Sequence, residues 1–342
     1  MSILRWIYKQ VPIEYHNKLW FPPTKRIPAR YPGGSTYGWS GGDCEKKDEN
    51  WWSLFHAIKH TPAGIRREQL NAHWNEGQRT LRIPVFWTGA SDKLQKVSGS
   101  EIHLTPDRKL PEPYRIELER YVDTAQAIGF QRFLLSSHPV GNRGLGDPKK
   151  PWTRESSDEN ICWLSEAINI LRNARADLYV DILNESVDPD GGKFIPLAEY
   201  VYMLDTLQSR HPGVRFFFGS RGAPNLFKET LNRFRSIYMK SETGLKYVGM
   251  NFYGRSKSAG RQIDLLHRSL PHLKGVIVAE SNFNDRNVAQ DIRRSLALFN
   301  RKVEFLCQWP LARRKNAKCF GEVNVNVAVP TIERRHWAKA GF

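Results

Sequence analysis

Two glutamates close short apolar runs in this chain of 342 residues: the run 177–185 (DLYVDILNE) ends in Glu185, and the run 275–280 (GVIVAE) ends in Glu280. Apolar runs of this length read as buried strands. An ionised carboxylate at the end of one is costly without a partner or a task. A pair of carboxyl groups is what glycosidic-bond cleavage needs. One, protonated, gives its proton to the leaving oxygen; the other, ionised, attacks the anomeric carbon or activates water. Held about 5 Å apart the two cannot both ionise easily, so proximity itself raises one pKa. Side chains alternate along a strand, which groups Tyr179, Asp181, Leu183 and Glu185 on one face and Val276, Val278 and Glu280 on another. With those faces turned into a barrel, the carboxyl groups converge on one mouth. The competing use of such residues is structural, as partners of a buried Arg or Lys.

The elements that must position them alternate along the chain. Apolar strands are expected at 80–87, 131–137, 177–184, 214–219, 247–253, 275–280 and 303–309, with an earlier one near 35–39. Helical spacing places helices at 66–75, 113–128, 160–173, 197–208, 226–239, 262–270 and 287–299. This βα alternation fits a closed barrel or a doubly wound open sheet, and the strand count favours a (β/α)8 TIM barrel. Residues 1–34, rich in Pro, aromatics and Lys/Arg, read as an N-terminal arm; 35–342 read as a single barrel domain. A short C-terminal extension carries a further strand at 322–329 and a helix at 331–339.

Composition bounds the partners. Lys and Arg outnumber Asp and Glu by 52 to 35, a net charge of +17, which favours anionic partners. The basic pairs (Arg66/Arg67, Lys149/Lys150, Arg293/Arg294, Arg313/Arg314, Arg334/Arg335) are scattered, and no nucleic-acid-binding motif accompanies them. Four cysteines (Cys44, Cys162, Cys307, Cys319) do not make a disulfide scaffold in so long a chain, and neither CxxC nor HExxH occurs. No metal or other cofactor is expected. Arg5 and Lys9 interrupt the apolar start, so it makes a poor signal peptide, and no run approaches the ~20 apolar residues of a membrane span. The compartment stays open, with the cytoplasm as the default. The 11 Trp offer flat faces for sugar rings as readily as core material.

The order of motifs resembles the large clan of retaining (β/α)8 glycoside hydrolases, most closely the family-five cellulases and mannanases, over about 66–309. LRIPV at 81–85 resembles the second-strand signature, which implies that Arg82 braces the nucleophile. LLSSH at 134–138 resembles the third, implying that His138 lines the sugar site. Asn184-Glu185 is similar to the Asn-Glu pair of the fourth, implying Glu185 as acid/base and Asn184 as donor to the substrate 2-hydroxyl. GMNFY at 249–253 is similar to the sixth, whose Tyr, here Tyr253, bonds the nucleophile; VIVAE at 276–280 resembles the seventh and implies Glu280 as that nucleophile. CQW at 307–309 is similar to the eighth, implying Trp309 as a floor under the reacting sugar. Three positions depart from the family pattern: Asn251 stands where His is usual, SSH at 136–138 replaces an acidic and double-His ending, and Ser186 replaces Pro.

The expected activity is hydrolysis of O-glycosidic bonds in an oligo- or polysaccharide by a retaining, endo-acting enzyme. The alternative is a silent barrel that binds a glycan or another anionic polymer. Trp39, Trp51, Trp52 and Trp87 are candidate sugar platforms, and the basic stretch 313–318 would draw an acidic glycan to the mouth. The Gly-rich segment 141–146 lacks a following helix to cradle phosphate and reads as a substrate loop.

Overall fold

Valine, isoleucine and aromatic residues bounded by Gly, Pro and Asp produce the strands, and amphipathic stretches between them produce the helices. The computed structural model describes residues 33–36, 58, 62–89, 102–140, 151–174, 176–190, 192, 194–253, 258–281, 286–299, 303–308 and 338–339. Its strands are β1 (Gly34–Thr36), β2 (Thr80–Thr88), β3 (Ile102–His103), β4 (Arg132–Pro139), β5 (Asp177–Asp181), β6 (Arg215–Phe217), β7 (Gly219–Ser220), β8 (Tyr247–Phe252), β9 (Gly275–Ser281) and β10 (Cys307–Gln308). Its helices are α1 (Ala63–Asn75), α2 (Glu112–Ile128), α3 (Arg154–Asn173), α4 (Leu197–Arg210), α5 (Phe227–Lys240), α6 (Ala259–Ser269) and α7 (Arg286–Phe299).

The pairings run round a ring, and all are parallel. β1 pairs β2, β2 pairs β4, β4 pairs β5 and β5 pairs β6. The chain run 215–220 then passes from β5 to β8 through β7, and β8 pairs β9. Val278 of β9 bridges Leu306, and β10 returns to β1. Counted this way, with the short β3 set beside the end of β2, the fold is a (β/α)8 barrel.

Two apolar layers follow from the pleat. Leu134, Tyr179, Phe217, Tyr247, Ile277 and Phe305 fill the lower barrel interior, while Ile83, Val85, Leu135, Val180, Val276 and Val278 point outward against the helices. Burying each such side chain stabilises the fold by roughly 1.5–3 kcal/mol. Arg82, Ser136 and Asp181 are also buried, and they sit on the inward alternation of β2, β4 and β5.

Strands and helices agree with the sequence reading within a few residues, with two informative exceptions. Helix α3 begins at Arg154, six residues before the expected 160. Its first turns are polar and invisible to hydrophobic periodicity, but Thr153 caps them in a reciprocal box with Ser156. The second exception concerns faces. Val276 and Val278 point outward, so strict alternation would send Glu280 outward as well. The β8–β9 register shifts instead, from Met250↔Val278 to Asn251↔Glu280, and this bulge at Ala279 turns Glu280 inward. Leu183 likewise leaves the face it was grouped on and joins the outer core, because β5 ends at Asp181.

The expected arm at 1–34 lies outside the described residues except for its last two positions, as do the strand at 322–329 and nearly all of the helix at 331–339. Among the described residues no helix is long and apolar enough to cross a membrane.

Candidate active site

The site is built where the parallel strands end. Arg82 stands on β2, Ser136 and His138 on β4, Asn251 on β8 and Glu280 on β9. Asn184 and Glu185 occupy the turn just after β5, and Tyr253 follows β8. That turn is strongly determined. Asn184 N–H donates to Ser137 O at 2.9 Å, Ile182 N–H to Phe217 O at 2.9 Å, and Val187 N–H to Gly219 O at 3.3 Å. Ser186, where the resembled family has Pro, closes it through Oγ to Leu183 O at 2.9 Å, and Tyr200 Oη donates to Ser186 O. From behind, Asn160 of α3 donates to Ile182 O at 2.9 Å and accepts from Ser137 Oγ at 2.7 Å. The result holds Glu185 at φ +53°, in the left-handed region that costs a residue with a Cβ and that recurs at functional sites.

Both oxygens of Glu280 carry a donor. Arg82 Nη2 donates to Oε1 at 2.5 Å, and Tyr253 Oη donates to Oε2. Arg82 is fully buried and Glu280 nearly so, so the ion pair operates in a poorly screened interior. Arg82 Nη2 also reaches Ser136 Oγ and His138 Nε2, each at 3.0 Å, and Asn184 Oδ1 at 3.4 Å. Glu185 is treated differently. Among the described residues one amide, Asn251 Nδ2, donates to its Oε1 at 3.0 Å and to Asn184 Oδ1 at 3.2 Å.

The electrostatics follow. Burial, then the charge of Glu280, pushes the Glu185 carboxyl up to about 7, against the pull of the Asn251 bond and Arg221. Burial, then Glu280, also raises the Tyr253 phenol, which stays protonated as a donor. Burial and Arg82 hold His138 well below the usual imidazole range. His138 is stacked on Phe86 at 4.5 Å, and its Nε2 lies between Arg82 Nη2 at 3.0 Å and Ser136 Oγ at 3.3 Å.

The structure brings Arg82, His138, Asn184, Glu185, Asn251, Tyr253 and Glu280 together in one network, while Trp309 lies outside the described residues. So do Trp39, Trp51, Trp52, the segment 141–146 and the basic stretch 313–318. Trp87 is a correction. It points outward, fully buried, with Nε1 on Ser137 Oγ at 2.9 Å, and offers no sugar platform. Five residues apart on β2, Arg82 and Trp87 fall on opposite faces by alternation, so a site that holds Arg82 excludes Trp87.

The sequence reading missed Ser136, Asp181 and Gly219 as parts of the site. Asp181 lies fully buried beneath it, its Oδ2 hydrogen-bonded with Ser136 Oγ at 3.2 Å. A Cβ at Gly219 would stand 2.9 Å from Asp181 Oδ2, 3.1 Å from Glu185 N and 3.2 Å from Asn184 Oδ1. An acidic residue inside an apolar strand, four before Glu185, was the available signal. Farther along the turn, Asp188 is buried and accepts from Ser220 Oγ, Thr230 Oγ1 and Arg221 N. Among the described residues no cluster of His, Cys, Asp and Glu could hold a metal ion.

By sequence, no family model and no curated protein matches the chain. By structure the chain is similar to GH5_18 from Streptomyces cattleya in complex with GlcNAc, at TM-score 0.55 and 14% identity, over 92% of this chain and 79% of that one. It is similar to the mannohexaose complex of Thermomonospora fusca β-mannanase at TM-score 0.52 and 12% identity, over 88% and 84%. Similarity to the exo-β-1,4-mannosidase of an Opitutaceae bacterium has TM-score 0.53 and 11% identity, over 85% of this chain and 55% of that one. Identities this low speak for architecture, and the architecture they share with this chain is the (β/α)8 barrel.

Proposed function

We propose that the protein is a retaining O-glycosyl hydrolase acting on an oligo- or polysaccharide, with Glu280 as nucleophile and Glu185 as acid/base. The observation that carries this reading is the unequal treatment of two neighbouring carboxyl groups. Glu280 receives a guanidinium on one oxygen and a phenol on the other. Glu185, buried beside that charge, is pushed up to about 7 and so holds its proton at pH values below that. Environments that push paired carboxyls apart are how acid and base are assigned. The like fold of a β-mannanase holding mannohexaose supports a carbohydrate as the substrate class.

In the first step Glu280 bonds to the anomeric carbon, the glycosidic C–O bond breaks, and the proton of Glu185 passes to the leaving oxygen. In the second, Glu185 takes a proton from water, the water oxygen bonds to the anomeric carbon, and Glu280 departs as carboxylate. Arg82 and Tyr253 hold Glu280 in position throughout. Asn184 has its Oδ1 fixed by Arg82 and Asn251, which leaves Nδ2 to meet the substrate 2-hydroxyl. Endo action is the reading taken from the resemblance, and the lengths of released products check it.

The test combines kinetics with product analysis. Glu280→Gln should lose roughly 10³-fold or more in kcat while still binding substrate. Glu185→Gln should lose most with poor leaving groups and least with acidic phenols, which need no proton. Proton NMR should show the first-formed product with the substrate's anomeric configuration. An inverted product sinks the double displacement, and a wild type that binds glycan without turnover sinks the enzyme.

A further inference from the structure

We propose, on the glycosidase reading above, that Asp181 is a positioning residue: held as a neutral acid, it gives its proton to Ser136, turns the Ser136 hydroxyl to His138 and so leaves Arg82 to hold Asn184 as well as Glu280. Arg82 Nη2 carries two protons, and four acceptors stand within its reach: Glu280 Oε1 at 2.5 Å, Ser136 Oγ and His138 Nε2 at 3.0 Å, and Asn184 Oδ1 at 3.4 Å. Ser136 has a single hydroxyl proton, with His138 Nε2 at 3.3 Å and Asp181 Oδ2 at 3.2 Å.

With His138 Nε2 as the acceptor, two arrangements satisfy these groups. With Asp181 ionised, the Ser136 hydroxyl donates to Asp181, and His138 Nε2 must draw a proton from Arg82. The two Nη2 protons then go to His138 and Glu280, and Asn184 Oδ1 receives none from Arg82. With Asp181 neutral, its carboxyl donates to Ser136 Oγ, the Ser136 hydroxyl donates to His138 Nε2, and both Nη2 protons remain for Glu280 and Asn184. No bond to carbon changes, and one proton's location sets the direction of the whole chain.

The surroundings select the neutral form. Asp181 is completely buried, and its Oδ1 has no hydrogen-bond partner among the described residues. Its neighbours are Arg82 from β2, Ser136 and neutral His138 from β4, Asn184 and Glu185 from the turn after β5, the uncharged Gly219 from β7 and Glu280 from β9. The single cation among them is already paired with Glu280. Burial foremost, then the charges of Glu280 and Glu185 against the pull of Arg82 and Ser136, pushes the Asp181 carboxyl up to about 8. An isolated buried carboxyl neutralises rather than bear that desolvation cost.

The test needs no knowledge of the sugar for its first arm. Infrared titration of the whole chain with carboxyl-labelled aspartate should show a protonated-carboxyl band that persists through neutral pH, is lost near pH 8 and is missing from Asp181→Asn. In the second arm, Asp181→Asn keeps a donor of the same size and should stay within about threefold of wild-type kcat/KM at pH 6, whereas Asp181→Leu should lose about tenfold or more in kcat with KM little changed. Absence of the band, or Asp181→Asn as impaired as Asp181→Leu, overturns the proposal. If Asp181→Leu does not fold, the band and the Asn variant still decide. If the wild type cleaves no glycoside, the functional reading fails while the infrared arm reports on Asp181 by itself.

Discussion

Asn251 donates its side-chain amide to Glu185 Oε1 at 3.0 Å while its Cα stands in register with Glu280 on the neighbouring strand. One amide thus ties the acid/base candidate to the strand that carries the nucleophile candidate. It also marks a departure from the resembled family, since Asn cannot take up a proton where His could.

That contact predicts a shift in the rate profile. The Asn251 bond favours ionised Glu185, so Asn251→Ala should raise the Glu185 pKa above its value of about 7. On the proposed mechanism cleavage requires protonated Glu185, and the rate falls as pH rises through that pKa. The alkaline limb of kcat/KM should therefore move to higher pH in the variant, while kcat drops about tenfold as Asn184 and Glu185 lose their shared anchor. A limb at or below the wild-type position would show that Asn251 does not act on Glu185.

The buried Arg82–Glu280 pair should couple in stability. Arg82→Met leaves an uncompensated carboxylate in the barrel and should destabilise by about 3–5 kcal/mol, whereas adding Glu280→Gln should recover much of that loss. Denaturant titration of both single variants and the double variant measures the coupling. Additive losses would mean that the 2.5 Å contact does not operate in solution.

Stability should also fall as pH rises, through the two raised carboxyls. Glu185 goes from its ordinary 4.5 to about 7, and Asp181 from 3.8 to about 8. Between these limits the folded state binds more protons than the unfolded chain, so their contribution is complete below about pH 4 and lost on the way to pH 8. Glu185→Gln should match the wild type near pH 4 and exceed it at pH 8, by on the order of 1–2 kcal/mol. Thermal melts across pH check the crossing, and equal slopes for the two proteins would refute it.

Gly219 should tolerate no side chain. Gly219→Ala puts a Cβ 2.9 Å from Asp181 Oδ2 and 3.1 Å from Glu185 N. Backbone and a buried carboxyl group must then give way, costing about 1–3 kcal/mol of stability. Since the displaced atoms carry Glu185, kcat should fall more steeply than substrate affinity. Melting temperature measured beside kcat and KM separates this from a harmless fit.

Much of the architecture was legible because its signals are local. Apolar runs and helical spacing located β2, β4, β5, β8, β9 and six of the helix starts to within about three residues. The start of α3 was not, because Thr153 and Ser156 specify it by hydrogen bonding rather than hydrophobicity. The types and order of Arg82, Asn184, Glu185, Tyr253 and Glu280 were enough to suggest the chemistry.

Residue order alone thus determined which side chains lie near strand ends. Which of them meet was decided only in three dimensions. Glu280 enters the barrel because β9 bulges against β8 at Met250/Asn251, an event of pairing between segments far apart in the chain. Trp87 left the site and Asp181 joined it for the same kind of reason. A strand's own alternation defines two faces, but only its neighbours' register and a closed ring of partners say which face is inside.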